Sequence, residues 1–310
     1  MQLRHLKTFV AVASTLNITR AGEEVHLAQS SVTEQIQSLE ADLGTALFDR
    51  SRRRLRLTEA GRRLLEYAGG ILSLSDEAHS AVADAAGLVA GSLAVGGLET
   101  LCANRLPPLL AKFRQQHPAI ALQMKAAGSG ELRSGVKSGA IDVCFTFGGG
   151  LSEAGLQSES VAREGLVIIA PVGHRLEGRN TISSGEFAGE AFLVTETGCV
   201  YRQLFENAFP TASPNRPRIA GEFSSIGAIR SLVETGLGCA LVPRLVASDT
   251  DARVATLPWV GDADSVPISM IWRRRRVQSP GLRLFLEAAR ESFGVVKPAD
   301  DHPRHAARFP

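Results

Sequence analysis

The chain has 310 residues, 44% hydrophobic and 21% charged, with 34 Lys and Arg against 32 Asp and Glu. That length exceeds one compact core and suits two or three domains of roughly 100–150 residues. The net charge of +2 points to no particular partner. The absence of an apolar N-terminal stretch and of any 18-residue apolar run predicts a cytoplasmic protein, neither secreted nor membrane-spanning. Four widely spaced cysteines, Cys102, Cys144, Cys199 and Cys239, form no C-x-x-C pair. Neither a zinc site nor a disulfide framework is expected from them.

Charge distribution is more telling. Residues 1–65 hold ten basic and seven acidic side chains, and residues 50–63 hold seven arginines against Glu59 alone. Phosphate attraction requires such clustering, because the field decays within about 8–10 Å at physiological salt. A solvated charged turn is the plain alternative.

In chain order, Leu3, Leu6, Val10 and Ala13 recur at helical spacing, with Phe9 beside them. After Asn17-Ile18, Thr19 is a candidate N-cap for a short helix from Arg20 to Val25 that buries Ala21 and Val25. A tight turn follows, then a third helix from about Ser31 to Leu43 with an apolar stripe of Val32, Ile36, Leu39 and Leu43. Ser31 and Glu34 have capping-box spacing, and Gly44 suits the C-terminal stop. The opposite face presents Ser30, Thr33, Glu34, Gln37 and Ser38, with Gln29 just before it. Hydroxyls and amides there can bond base edges in a major groove. Short helix, tight turn and polar-faced helix make a helix-turn-helix pattern. Two short alternating segments then flank the run containing Arg50, Arg52, Arg53 and Arg54, which reads as a β-hairpin wing touching phosphates or the minor groove.

The stretches "LRHLKTFVAVA", "QSSVTEQIQSLEADLGTALFDR" and "RLRLTEAGRRLL" resemble the N-terminal module of LysR-type transcriptional regulators, without a gap over about residues 2–65. Two positions depart from the family's habits. Gly22 stands where a second alanine is common, at a helix cost of about 1 kcal/mol. Glu34 stands where arginine is frequent. It either completes the cap or accepts from cytosine N4.

Thr58 reads as the N-cap of a long helix from Glu59 towards Val89. Positions 64, 68, 71, 75, 78, 82, 85 and 89 form a seam with alternating steps of four and three. Spacing alone leaves open a helix lying on its own domain. The resemblance implies pairing of two subunits, and a tetramer built from dimers. Gly87 and Gly91 mark the helix end and a hinge.

From Ser92 the pattern alternates. Strands are expected at 92–96, 120–125, 141–145, 166–170, 191–194, 219–222, 239–242 and 266–272, with helices near 100–116, 130–138, 200–208, 225–235 and 280–293. "LPPLLAKFRQQHP", "ELRSGVKSGAIDV" and "GAIRSLVETGLGCALVPR" resemble the effector domain of the same family. The resemblance implies an α/β, two-lobed, periplasmic-binding-protein-like fold. The expected division is a winged helix-turn-helix over 1–58, a linker helix over 59–90 and an effector domain over 91–297. Lobe one takes 91–162 and 267–297, and lobe two 163–266. A disordered tail is expected over 298–310.

Candidate helix starts carry Thr100, Ser129, Cys199 with Tyr201, and Ser224 with Ser225, and Thr195 precedes one of them. Helix N-termini favour anions and carboxylates, so these residues are expected to line an effector cleft, although each alone can be a simple cap. Arg202 either anchors an anionic effector or is exposed. Cys199 opens a second reading as a redox sensor, alongside a packed or cleft-lining thiol. The basic run Arg273–Arg276 is read as a solvated strand end, with DNA or a neighbouring subunit as the alternative.

No hydrolase, P-loop, zinc-protease or dinucleotide-binding motif occurs, so no enzyme activity, metal or cofactor is expected. A solute-binding protein would share the two lobes but lack residues 1–58. The implied partners are double-stranded DNA, a second copy of the chain, RNA polymerase and a small effector. The implied location is the nucleoid.

Overall fold

A computed structural model of the protein describes residues 1–49, 55–85, 91–149, 153–247, 253–260, 264–275 and 277–294. The wing residues Arg50, Arg52, Arg53 and Arg54, the helix end at Gly87, Arg276 and the tail over 298–310 lie outside them. The chain divides near residue 88 into two compact units.

In the first unit, α1 (Leu3–Thr15), α2 (Ile18–Val25) and α3 (Gln29–Leu43) enclose Leu6, Phe9, Val12, Ala21, Val32, Ile36 and Leu39. The inward stripe of α1 runs through Leu6, Phe9, Val12 and Ala13, while Leu3 is exposed and Val10 half-buried. The cap of α2 is Asn17, not Thr19. Its Oδ1 accepts the amides of Thr19 and Arg20 at 2.9 and 3.1 Å, so the helix begins two residues early. Such a cap contributes about 1 kcal/mol. Gly22 has a steric reason to be glycine. A Cβ there would lie 2.6 Å from the carbonyl oxygen of Leu27, whose amide donates to Gly22 at 2.8 Å.

Helix α3 also starts early. Ala28 is its N-cap and makes no side-chain bond, so Ser31 falls inside the first turn and the Ser31–Glu34 capping box does not form. Gly44 ends the helix in the left-handed conformation, as expected, but Leu43 is exposed. Beyond it, Glu40 Oε1 accepts the amides of Leu47 and Phe48 at 2.8 and 3.2 Å and fixes the path into the hairpin. There β1 (Phe48–Asp49) pairs antiparallel with β2 (Arg56–Leu57).

Thr58 caps α4 (Glu59–Ala85). Its Oγ1 accepts the Gly61 amide at 3.0 Å and donates to the Ala46 carbonyl at 2.7 Å. A Cβ on Gly61 would lie 2.2 Å from the Leu47 carbonyl, so the "LTEAG" stretch needs glycine at that turn. The expected seam of α4 is split. Leu64, Ala68 and Ile71 pack into the core of their own unit, with Leu65 and Leu72. Tyr67, Leu74 and Val82 are about two-thirds exposed, at 66%, 67% and 71%.

In the second unit, β3 (Gly91–Gly97) leads into α5 (Glu99–Asn104), α6 (Leu106–Gln116), β4 (Ile120–Ala126), α7 (Ser129–Ser138) and β5 (Val143–Phe147). The single helix expected over 100–116 is two. Pro107 and Pro108 in the first turn of α6 have no N–H with which to continue α5. Next come β6 (Leu156–Pro171), β7 (Ile182–Ser183), β8 (Ala191–Thr195), α8 (Val200–Ala208), β9 (Arg218–Phe223) and α9 (Ile226–Glu234). The unit ends with β10 (Ala240–Pro243), β11 (Val254–Leu257), β12 (Trp259–Val260), β13 (Ser265–Arg273) and α10 (Pro280–Phe293).

Each expected strand is present, and β7, β11 and β12 are additions. Strand β6 is the hub of the topology. Leu156–Gly165 pairs antiparallel with β13, which continues through β5 and β3 to β4. Leu166–Pro171 lies between β10 and β11. One strand therefore serves both lobes. Phe113, Phe145 and Phe285 pack edge-on in the first lobe. In the second, Phe187, Phe192 and Phe209 pack edge-on and Phe205 lies tilted against Phe192 and Phe209, where β8 pairs in parallel with β9.

Candidate DNA interface and effector cavity

The core stripe of α3 turns its other side outward. Gln29, Ser30, Thr33, Glu34 and Gln37 line one shallow concavity there, and Ser31 sits half-buried beside it. The Thr33 hydroxyl donates to the Gln29 carbonyl at 2.9 Å, which leaves its oxygen facing outward as an acceptor. Thr8 on α1 donates to Gln35 Oε1 at 2.7 Å and sets the rotation of α3 on its support. The face offers donors, acceptors and one carboxylate, a set that matches base edges better than phosphates. Near the foot of the hairpin, Arg62 pairs with Glu59 at 2.8 Å and bonds the Leu57 carbonyl, and Arg63 pairs with Glu66. These exposed pairs add little stability.

The second unit holds a cavity of about 480 Å³ where α7, α8 and α9 begin. Ser129, Cys199, Tyr201 and Ser224 line it, together with Glu99, Glu131 and the glycines 128, 130 and 198. Thr100 and Ser225 brace its wall instead. Thr100 Oγ1 and Tyr201 Oη are 2.8 Å apart, both side chains being buried. Burial pushes the Tyr201 phenol up to about 12, so it stays neutral. Ser225 Oγ accepts the Ala228 amide at 3.4 Å as the cap of α9 and donates to the Glu99 carboxylate at 3.3 Å. Thr195 is buried behind α8, its hydroxyl without a partner among the described residues and its carbonyl accepting from Arg202.

Arg202 corrects the expectation of an anion anchor. It is buried and absent from the lining, donating to Glu206 at 2.9 Å and to Glu222 at 3.0 Å. The bond to Glu222 holds its pKa above the usual range, with Glu206 adding to it and burial opposing. Its charge is spent within the α8–β9 layer. Sequence reasoning missed Glu99 and Glu131. The small-residue run at 126–130 was a usable cue for the cavity, but nothing in the sequence showed that these two carboxylates face it. Lys125 pairs with Glu131 at 2.9 Å. The cavity thus combines helix-start amides with two carboxylates, a setting for a ligand that carries both acceptors and donors. Cys199 is half-buried on this wall, while the other three cysteines are buried elsewhere.

Residues 3–62 match the family model described as bacterial regulatory helix-turn-helix protein, lysR family, and residues 86–294 match the LysR substrate binding domain. The chain belongs to the LysR family of transcriptional regulators. This LysR-type regulator is 34% identical over 298 residues to the uncharacterized HTH-type transcriptional regulator YwqM of Bacillus subtilis (strain 168), covering 94% of this chain and 100% of that one. It is 30% identical over 290 residues to the RuBisCO operon transcriptional regulator of Allochromatium vinosum, covering 93% and 95%. Among solved structures, full-length CbnR complexed with its target DNA is 30% identical with a TM-score of 0.63, covering 94% of this chain and 100% of that one. A full-length OxyR variant from Pseudomonas aeruginosa has a TM-score of 0.73 at 22% identity, covering 94% of both chains, and shares the fold. As a LysR-type regulator, the protein joins a helix-turn-helix unit to a two-lobed effector-binding domain. Among the described residues, no helix is long and apolar enough to cross a membrane.

Proposed function

We propose that this regulator reads duplex DNA with Gln29, Ser30, Ser31, Thr33, Glu34 and Gln37 in a major groove, while Arg50, Arg52, Arg53 and Arg54 grip the backbone. The observation that carries this reading is the exposed, nearly uncharged face of α3, held outward by the buried Val32, Ile36 and Leu39 opposite. Base edges supply specificity and phosphates supply salt-dependent affinity. The effector occupies the cavity lined by Ser129, Cys199, Tyr201 and Ser224, with Thr100, Thr195 and Ser225 as the supporting shell. A small carboxylate that also bears hydrogen-bond donors fits the amides and carboxylates together. Its binding shifts the population of lobe arrangements, provided it prefers one of them. Two copies pair through the exposed apolar positions of α4, including Leu74 and Val82, and dimers join as a tetramer on the nucleoid, where they meet RNA polymerase. The protein acts as a regulator and not as an enzyme.

The redox reading through Cys199 has less support, since one thiol lines the cavity and the other three are buried. A transport-only solute-binding role is disfavoured by the helix-turn-helix unit.

The test is binding of the purified protein to its own upstream region against random duplex across a salt series. The expected result is a preference that Gln37→Ala reduces by roughly ten- to a hundredfold, as for the loss of one good base contact. Equal binding to both duplexes at every salt concentration refutes the reading. A melting-shift screen of small carboxylates, with Ser129→Tyr filling the cavity, tests the effector site.

A further inference from the structure

Outside the effector cavity, three side chains of the second lobe converge. His174 follows β6, Glu190 immediately precedes β8, and Cys239 immediately precedes β10. The sheet brings them together. The Cys239 amide donates to the Ala191 carbonyl at 2.7 Å, and the Leu193 amide donates to the Cys239 carbonyl at 2.8 Å. Cys239 Sγ lies 3.6 Å from His174 Nε2, and the same nitrogen lies 3.4 Å from Glu190 Oε2. All three donor atoms fall within 4.8 Å of one another.

Those separations are informative. Zinc bonds sulfur at about 2.3 Å and imidazole nitrogen or carboxylate oxygen at about 2.0–2.2 Å. A tetrahedron with such bonds has a sulfur–nitrogen edge of about 3.6 Å and a nitrogen–oxygen edge of about 3.4 Å. Both observed distances match those edges. The donor set is also oriented from outside. Arg175 Nε donates to Glu190 Oε1 at 2.7 Å and leaves Oε2 turned towards the imidazole, in the manner of an outer-shell partner. Cys239 is buried, and the His174 and Glu190 side chains keep 11% and 23% exposure, so a water can reach a fourth position.

We propose that His174, Glu190 and Cys239 form a zinc site. The thiolate and carboxylate balance the charge of the ion, and the imidazole binds neutral. The free thiol is protonated before the metal arrives, as an unligated cysteine is at neutral pH. The Leu176 amide donates to His174 Nδ1 at 3.3 Å, which places the ring proton on Nε2. On capture that proton relocates to Nδ1, the 3.3 Å bond from the Leu176 amide is lost, and the Cys239 proton is released to solvent. Each zinc bound therefore frees one proton, with no change of oxidation state. The ion would clamp the starts of β8 and β10 to the loop after β6.

The experiment uses the full-length chain, reduced and stripped with chelator, titrated with zinc and then with cobalt(II) as a spectroscopic substitute. The expected result is one metal per chain, a rise in melting temperature, and a sulfur-to-cobalt charge-transfer band in the near ultraviolet. Cys239→Ser and His174→Gln lose the band and the melting rise, while Cys199→Ser keeps both. An unchanged wild-type spectrum overturns the proposal, whatever the variants do. So does a band that survives Cys239→Ser or disappears in Cys199→Ser. Circular dichroism of the metal-free variants separates loss of ligation from loss of fold.

Discussion

The Thr100–Tyr201 bond makes a quantitative prediction about how the wall of the candidate effector cavity is held. The two oxygens are 2.8 Å apart, and the side chains are only 4% and 8% exposed. Tyr201→Phe keeps the ring and its edge contact with Phe147 but leaves the Thr100 hydroxyl buried without that partner. Such an orphan costs about 1–3 kcal/mol. Thr100→Val preserves the shape of the threonine and strands the phenol in the same way. In the double variant neither hydroxyl is present, so the second substitution should cost far less than it does alone. The coupling energy should then be about 1–2 kcal/mol. Trp259 and Trp272, the protein's two tryptophans, both lie in the second unit. Urea unfolding of the whole chain, followed by tryptophan fluorescence, therefore reports that unit without interference from the first. Single-variant losses that add to within about 0.5 kcal/mol would show that the pair is not coupled and would refute the reasoning.

The same phenol predicts an alkaline limit. Burial raises the folded-state pKa from 10.0 to about 12, so this contribution is fully present below pH 10 and is lost as pH rises towards 12. Wild type should lose about 2–3 kcal/mol more than Tyr201→Phe over that range, measured by the same fluorescence assay. Gly22→Ala should destabilise the first unit by about 1–3 kcal/mol. The alanine gains about 1 kcal/mol of helix propensity but drives a Cβ against the Leu27 carbonyl. Far-ultraviolet circular dichroism melting and loss of duplex binding check it. Maleimide labelling of the native protein should modify Cys199 first. Burial pushes Cys102 up to about 11 and Cys144 and Cys239 up to about 12, keeping those thiols protonated and slow. Mass spectrometry of the tryptic peptides decides the order.

The helices of the first unit were legible because their apolar residues repeat at 3.6-residue spacing. Their starts were less so. Ser31 and Glu34 imitate a capping box, yet Ala28 opens α3, and Asn17 caps α2 in place of the equally plausible Thr19. In the second unit the first half of β6 was hidden because Gln157–Glu164 is largely polar and half-exposed, giving no apolar run. The cleft serines and Tyr201 were legible as helix starts. Arg202 was not, because its neutralisation depends on Glu222, which only the folding of β9 beside α8 brings near. His174, Glu190 and Cys239 are so far apart in sequence that no metal-ligand spacing exists to be read. Their meeting is a product of the β8–β10 neighbourhood.

Strand β6 runs unbroken for 16 residues and is hydrogen-bonded within both lobes. Sliding one lobe past the other would have to kink or stretch this continuous strand at Gly165–Leu166, where its partners change from β13 to β10 and β11, whereas twisting it about its long axis leaves both ladders paired. The irregularity opposite Ile268 and Ser269 is where such torsion is most readily absorbed. Strand β6 is thereby built like a torsion bar, and a load on either lobe would be transmitted as an angle and not as a displacement.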